Sequence, residues 1–383
     1  MIDFTELWSI LVKERAVQNK IRSNRNLLDV IFTDESISYY LMKKILIAGA
    51  GGYIGTELVA YLLKKGHFVI ALDRFFFGDT LRDLKNKNGI QIVKDDIRFF
   101  DKELLKGVDV VINLASISND PASELNPQIT KEINCTGALR LASLAKEMKV
   151  KRYIFSSSCS VYGAGNGVVN EESPVFPISE YAKSKQKAEQ ELIKLASPRF
   201  SVTIMRTATV YGLSRKRMRF DLIINIMTLH AWKNKKIFIR GEGDQWRPLI
   251  HIMDYIAGID LLIEEKSIAK INKQIFNAGS NEQNYQVFQV ANVFKKYFPD
   301  IHLEKVIDDP DNRSYHVNFD KISKALGFKP KKIIDDGILE IRDALEKGEV
   351  TDAGTLTHTL RHYQYLIEAD RILSEVKLNN TLF

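Results

Sequence analysis

From residue 44 onward, short runs of consecutive apolar residues alternate with longer stretches whose apolar positions recur every three or four residues. The short runs are KILIAG, HFVIALD, QIVKDD, VDVVINLAS, KRYIFSSS and SVTIMR. Among them lie TELVAYLLKKG, QITKEINCTGALRLASLAKEMKV and a helix-like span over residues 180 to 196. Strands that are apolar throughout, rather than at alternate positions, are buried on both faces, and strands separated by helices pair in parallel. The pattern therefore predicts a doubly wound α/β fold with SVTIMR as its sixth strand. Beyond residue 207 the alternation loosens into basic loops, a helix near 220 to 232 and shorter strands. This predicts a smaller lobe over the C-terminal edge of the sheet. There are no internal repeats and no low-complexity tract.

With 383 residues, 45% of them apolar and 27% charged, the chain is long enough to bury a large core in two lobes. The expected division is residues 42 to 206 for the first lobe and 207 to 345 mainly for the second, with some returns to the first. Residues 346 to 383 form a C-terminal tail. Its RHYQYLIEADRILSEV reads as an amphipathic helix without chemistry. Residues 1 to 41 have helix-like spacing in places and no turn-rich linker before Met42. They are either a helical extension or the product of a start placed too early, and no function attaches to them.

Two cysteines, Cys135 and Cys159, are too few for a disulfide framework and do not match a zinc spacing, which fits a reducing cytoplasm. No stretch approaches the roughly 20 unbroken apolar residues of a membrane helix, and the start lacks the order of a signal peptide. The net charge of +7 is concentrated in part at Arg215, Lys216, Arg217, Arg219, Lys233, Lys235, Lys236 and Arg240. That run is either a solvated face or a pocket for a phosphorylated ligand. No zinc finger, basic helix or aromatic-interleaved repeat supports nucleic acid as a partner.

The first strand runs into GAGGYIG, residues 49 to 55, followed by a helix-forming run. Glycines there let the backbone turn tightly, admit a pyrophosphate and aim helix N-terminal N–H groups at it. The second strand ends at Asp73, a carboxylate placed to bond an adenosine ribose diol. Its charge would repel a 2′-phosphate, which favours NAD over NADP, although Arg74 follows it. The spacing of Gly49, Gly52 and Gly55 is GxxGxxG rather than GxGxxG. It resembles the short-chain dehydrogenase/reductase superfamily, and later motifs look like its extended branch of NAD-dependent nucleotide-sugar epimerases and dehydratases. The resemblance covers about residues 43 to 345 and implies a Rossmann-type sheet with a smaller C-terminal substrate-binding lobe. It implies that NAD is held by Gly49, Gly52, Tyr53, Ile54, Gly55 and Asp73. Asp96 and Ile97 of KDDIRF would hold the adenine, while Leu114, Ala115 and Ser116 of the NLAS turn would line the cofactor.

Tyr181 and Lys185 of YAKSK lie four residues apart, so on a helix they share one face. A nearby ammonium favours phenolate and suits Tyr181 to work as a base. In a doubly wound sheet ligands bind outside the carboxyl ends of the strands, so the serines ending KRYIFSSS face the site. By resemblance Ser158 is the hydroxyl that bonds the reacting substrate oxygen, and Tyr181 and Lys185 also contact the cofactor. Ser156 and Ser157 would support the turn. Dehydratases of the family carry an acid directly after this hydroxyl. Cys159 and Ser160 stand there instead, and Cys159 reads as a buried or pocket-lining thiol.

In RGEGDQWRPLIHIMD, Arg247 matches the family's arginine that grips the nucleotide diphosphate, a task suited to planar paired donors. A structural ion pair with Asp244 or Asp254 is the competing reading. Asp254 is expected to cap the following helix, and His251 to be packed rather than catalytic. Arg217 and Arg219 are further candidate contacts to the substrate's phosphate or base, and FNAGSNEQNYQV looks like the last core strand. No residue set suggests a metal.

The expected function is C4 epimerisation of a nucleotide-diphosphate sugar by transient oxidation with tightly held NAD. Dehydrogenase or 4-ketoreductase chemistry uses the same three residues and stays open, with a 4,6-dehydratase or a non-catalytic NAD-binding regulator less favoured. Resemblance also implies a cytoplasmic homodimer joined through helices near 129 to 148 and 180 to 196. A role in surface polysaccharide synthesis follows only from the substrate class.

Overall fold

The computed structural model describes residues 42–307, 313–378 and 381; the N-terminal extension expected over residues 1 to 41 lies outside the described residues. The main sheet contains β1 (Lys44–Ala48), β2 (Phe68–Asp73), β3 (Ile90–Lys94), β4 (Val110–Asn113), β5 (Arg152–Ser158), β6 (Ser201–Thr207) and β7 (Gln274–Ala278). Their order across the sheet is β7-β6-β5-β4-β1-β2-β3, and every pairing is parallel. The order reverses between β1 and β4, so a crevice opens at their carboxyl ends.

Alternate side chains of each strand serve opposite faces of this sheet. Ile45 and Ile47 join a core with Leu58, Val59 and Leu62 of α1 (Tyr53–Lys64). Leu46 and Ala48 join a second core with Leu141, Ala142 and Ala145 of α2 (Ala138–Glu147) and Ala188 and Leu192 of α3 (Glu180–Leu195). Burying one such Leu or Val contributes roughly 1.5–3 kcal/mol. Continuous apolar runs are thus what a sheet covered on both faces requires.

After β6 the chain forms α4 (Ile223–Asn234) and α5 (Ile252–Glu264), and α5 packs beside α1 on the main sheet. Strand Trp246–His251 pairs in parallel with Thr209–Tyr211 and antiparallel with Asn284–Gln286. Lys236–Arg240 pairs with His302–Val306, and Ala164–Val169 with Ser314–Val317. A third core joins Ile224 and Met227 of α4 to Ile334 and Ile338 of α6 (Ile334–Glu346). The helix expected in the tail is α7 (Thr359–Val376), whose Thr359 and His362 are buried while Tyr365, Ile367 and Ile372 are exposed.

Among the described residues no helix is long and apolar enough to cross a membrane. No group of three His, Cys, Asp or Glu side chains among them could hold a metal ion.

Candidate active site

A cleft of about 880 Å³ runs along the carboxyl ends of the main strands. Its first wall is the turn after β1. Gly49 has φ +85°, and a Cβ there would stand 2.7 Å from the Ala115 nitrogen, so only glycine fits. A Cβ on Gly55 would meet the Gly49 carbonyl at 2.1 Å. Gly52 caps α1 with no side-chain acceptor, leaving first-turn N–H groups for an anion. Tyr53 and Ile54 open that helix along the cleft, and the Tyr53 hydroxyl is tied to the Gly212 carbonyl at 2.6 Å.

Asp73 ends β2 and accepts hydrogen bonds from the N–H groups of Gly51 (2.9 Å) and Phe75 (2.6 Å). Burial pushes its pKa up, opposed by those two bonds. Asp96 and Ile97 border the same cleft. The Asp96 carboxylate is gripped by Arg98 Nη2 at 2.9 Å and Nε at 3.1 Å. Although burial acts the other way, the Arg98 bonds hold its pKa below the carboxylate range. After β4, Leu114 donates to the Ala48 carbonyl and Ala115 to Asn113 Oδ1, which brings Leu114, Ala115 and Ser116 to the cleft wall. These residues fit a dinucleotide: a glycine cradle that a Cβ would fill, a helix N-terminus and a carboxylate at the end of β2.

Ser158, at the end of β5, shares the cleft wall with Tyr181, and its hydroxyl helps to bring the phenol pKa down. Its Oγ also accepts from the Ser160 N–H at 3.1 Å, fixing the turn. Ser179 caps α3 by accepting from the Ala182 N–H, placing Tyr181 and Lys185 one turn apart on the cleft side. Lys185 Nζ donates to the Ser156 carbonyl at 2.7 Å and lies 5.8 Å from the Tyr181 ring centre. Burial pulls the pKa of Lys185 down to about 7, with Glu189 opposing. For Tyr181, burial and then the Asp120 charge push the pKa up, while the Ser158 hydroxyl and the Arg219 charge bring it down. The sequence suggested Lys185 as the cation acting on the phenol. Arg219 lowers the phenol pKa as well, and the Lys185 amine also donates to the Ser156 carbonyl.

Arg247 reaches the far end of the cleft from strand Trp246–His251, donating to the carbonyls of Trp246 (2.8 Å) and Arg313. Arg240 and Arg313 line the same end. Arg219 sits centrally, paired with Asp221 at 2.9 Å and bonded to Ser118 at 3.1 Å. Arg217 lies instead with Phe77, at 3.6 Å from the ring centre, on the side of Asp73. The cap of α5 is His251, whose Nδ1 accepts from the Met253 N–H, rather than Asp254. Asp254 accepts from the N–H groups of Lys331 and Lys332, a loop that sequence spacing could not bring to it. His251 is buried against Glu340 at 2.7 Å. Cys159 is buried, bonded to the Arg206 carbonyl, with its pKa pushed up by burial.

Three contributors have no sequence signal specific enough to find them. Asn134 ties Ile117, on the cleft wall, to Ser184 on α3. Asp120 faces the cleft beside Tyr181, held by Arg313 and Ser179. Tyr363 reaches the cleft from α7.

Residues 45–279 match the family model described as NAD dependent epimerase/dehydratase family. The chain belongs to that family. Among its curated relatives, an uncharacterized UDP-glucose epimerase of Bacillus subtilis is 28% identical over 313 residues, covering 77% of this chain and 95% of the relative. The UDP-glucuronate 4-epimerase of Thermodesulfobacterium geofontis is 28% identical over 76% of this chain and 93% of its own length. Among solved structures, the UDP-glucuronic acid 4-epimerase of Bacillus cereus in complex with UDP-glucuronic acid and NAD superposes with a TM-score of 0.70 at 26% identity. That match covers 79% of this chain and 99% of the other. The parallel sheet and its glycine turn are therefore the family's epimerase/dehydratase framework, and its NAD dependence accords with the dinucleotide cradle described above.

Proposed function

We propose that the protein is an NAD-dependent epimerase of nucleotide-diphosphate sugars that inverts C4. The observation that carries this reading is the pairing of Ser158 with Tyr181 on one cleft wall, with Lys185 beside them. It lies in a cleft with the glycine turn and Asp73 at one end and Arg247 at the other. A dinucleotide held by Gly49, Gly52, Tyr53, Ile54, Gly55, Asp73, Asp96, Ile97 and the Leu114–Ser116 turn and a diphosphate held by Arg247 would meet at that pair. When bound, NAD supplies the hydride acceptor and donor.

Each residue then has a defined task. Tyr181 takes the proton from the sugar 4-hydroxyl through its phenolate oxygen, while Ser158 donates to the same sugar oxygen and holds it in place. Arg219 favours the phenolate electrostatically. Lys185, anchored on the Ser156 carbonyl, fixes the floor of the site and stands where a cofactor ribose can meet it. After the 4-keto sugar presents its other face, Tyr181 returns the proton to the oxygen. Arg247 retains the diphosphate throughout, so the sugar turns without leaving.

Elimination of water would need an acid beside Ser158. Cys159 is buried with a raised pKa, which favours epimerisation over a dehydratase reaction. The reading extends to a cytoplasmic homodimer paired through α2 and α3, and to a product consumed in surface polysaccharide synthesis. Light scattering tests the dimer.

The cofactor part is tested by denaturing the protein as purified and identifying the released nucleotide by mass spectrometry. Near-stoichiometric NAD is expected. An empty protein would favour exchangeable cofactor and a net redox reaction, and failure to bind added NAD would overturn the reading.

A further inference from the structure

The matched family region ends at residue 279, yet the start of α7, some 80 residues later, lines the cofactor end of the cleft. Three contacts fix it there. The Phe220 N–H donates to the Thr357 carbonyl at 2.8 Å, and the Thr359 N–H donates to Asp221 Oδ2 at 3.2 Å. His362 Nε2 bonds the Phe76 carbonyl at 2.7 Å, in the segment that leaves β2 just after Asp73. Tyr363 then packs on Phe76 and Phe77, with ring centres 5.9 and 5.4 Å away.

Under this roof lies Arg217, 4% exposed. Its guanidinium stacks on Phe77, its Nη1 donates to the Met218 carbonyl at 2.6 Å and its Nη2 reaches Thr359 Oγ1 at 3.4 Å. Among the described residues its buried Nε has no hydrogen-bond partner. Asp221, the nearest candidate counter-ion, is occupied by Arg219 at Nε–Oδ1 2.9 Å and Nη2–Oδ2 3.0 Å. Burial, followed by the Arg219 charge, pulls the pKa of Arg217 down to about 9. A guanidinium buried without a paired anion is costly, and arginine's planar fork is suited to phosphate oxygens.

We propose that Arg217, under the roof formed by the start of α7, is a phosphate-binding element of the dinucleotide site, acting on the diphosphate of NAD rather than on the nucleotide sugar. The inference rests on the cofactor reading above. It makes α7 a cofactor-retaining element added to the family framework. Arg217, on the Asp73 side of the cleft, and the α1 N-terminus line the same cavity, so both would face the anionic part of a dinucleotide there, with Tyr363 covering that side. Retained NAD is what a self-recycling epimerase requires.

The test is isothermal titration of the full-length protein, stripped of nucleotide, with NAD, ADP-ribose, NADP, adenosine and UDP. Arg217→Met is expected to weaken NAD and ADP-ribose binding by about tenfold or more, the scale of one charge-assisted contact, while adenosine and UDP affinities stay the same. Tyr363→Ala is expected to speed NAD release. It serves as the second variant if Arg217→Met does not fold, and unchanged NAD release would then count against the proposal. Weakened UDP binding with unchanged NAD would overturn the assignment and return Arg217 to the substrate. A loss confined to NADP would overturn it in favour of a 2′-phosphate site. Wild-type protein that binds neither NAD nor ADP-ribose would overturn the cofactor reading itself, and this inference with it.

Discussion

Glu189→Gln perturbs the ion pair that locks α3 behind the catalytic strand. Arg206 Nη2 lies 2.7 Å from Glu189 Oε2, with the side chains 6% and 3% exposed. Ser157 donates to the same carboxylate, while Arg206 Nη1 donates to the Tyr162 hydroxyl at 3.1 Å. Neutralising one partner of a buried pair leaves the other desolvated and costs about 3–5 kcal/mol. Glutamine keeps the shape and one acceptor, so the lower end, about 3 kcal/mol, applies. An unfolding entropy of ~2.1 cal/mol/K per residue over about 340 residues converts this to a fall in Tm of about 4 °C. Scanning calorimetry at pH 7.5 measures it (~30 °C per hour, about physiological salt). The paired change Glu189→Leu with Arg206→Met should recover most of the loss, since no charge is then stranded. A Tm within about 1 °C of wild type for the single variant would refute the argument. Glu189 also opposes the fall in the Lys185 pKa, so the same substitution should lower the pH at which Lys185 discharges.

Asp120→Asn removes a negative charge that, after burial, raises the Tyr181 pKa. Tyr181 should then lose its proton at lower pH, moving the acidic limb of the kcat profile down; a limb that stays or rises contradicts the assignment of Tyr181 as base. Arg247→Ala should raise KM for the nucleotide sugar by roughly 10- to 150-fold, the loss of a charge-assisted contact of about 1.5–3 kcal/mol. Because the diphosphate does not react, kcat should change far less; steady-state kinetics with unchanged KM would remove Arg247 from the substrate site.

Much of this framework was legible because it is written in local periodicity. Each continuous apolar run became a parallel strand of the main sheet, all but the edge strand β3 largely buried, and the strand ends brought Gly49, Asp73 and Ser158 to the cleft that Tyr181 reaches from α3. What stayed hidden depends on distant partners. Asp254 looked like a helix cap, but the N–H groups of Lys331 and Lys332, more than 70 residues on, claim both of its oxygens. Arg217 and Arg219 are indistinguishable in the string RKRMRF, yet one stacks on Phe77 and the other pairs with Asp221. The tail read as an amphipathic helix without chemistry, since nothing in RHYQYLIEADRILSEV signals that His362 will bond Phe76, 286 residues earlier.

The central claim is tested most directly by supplying UDP-glucose or UDP-glucuronate carrying deuterium at C4 and following the sugar by NMR. The account predicts the C4 epimer with deuterium still at C4, no accumulation of reduced cofactor, and a turnover reduced by about 10²–10⁴ in Tyr181→Phe that still holds NAD. Accumulating reduced cofactor with a stable oxidised sugar, or conversion that survives Tyr181→Phe undiminished, would contradict it.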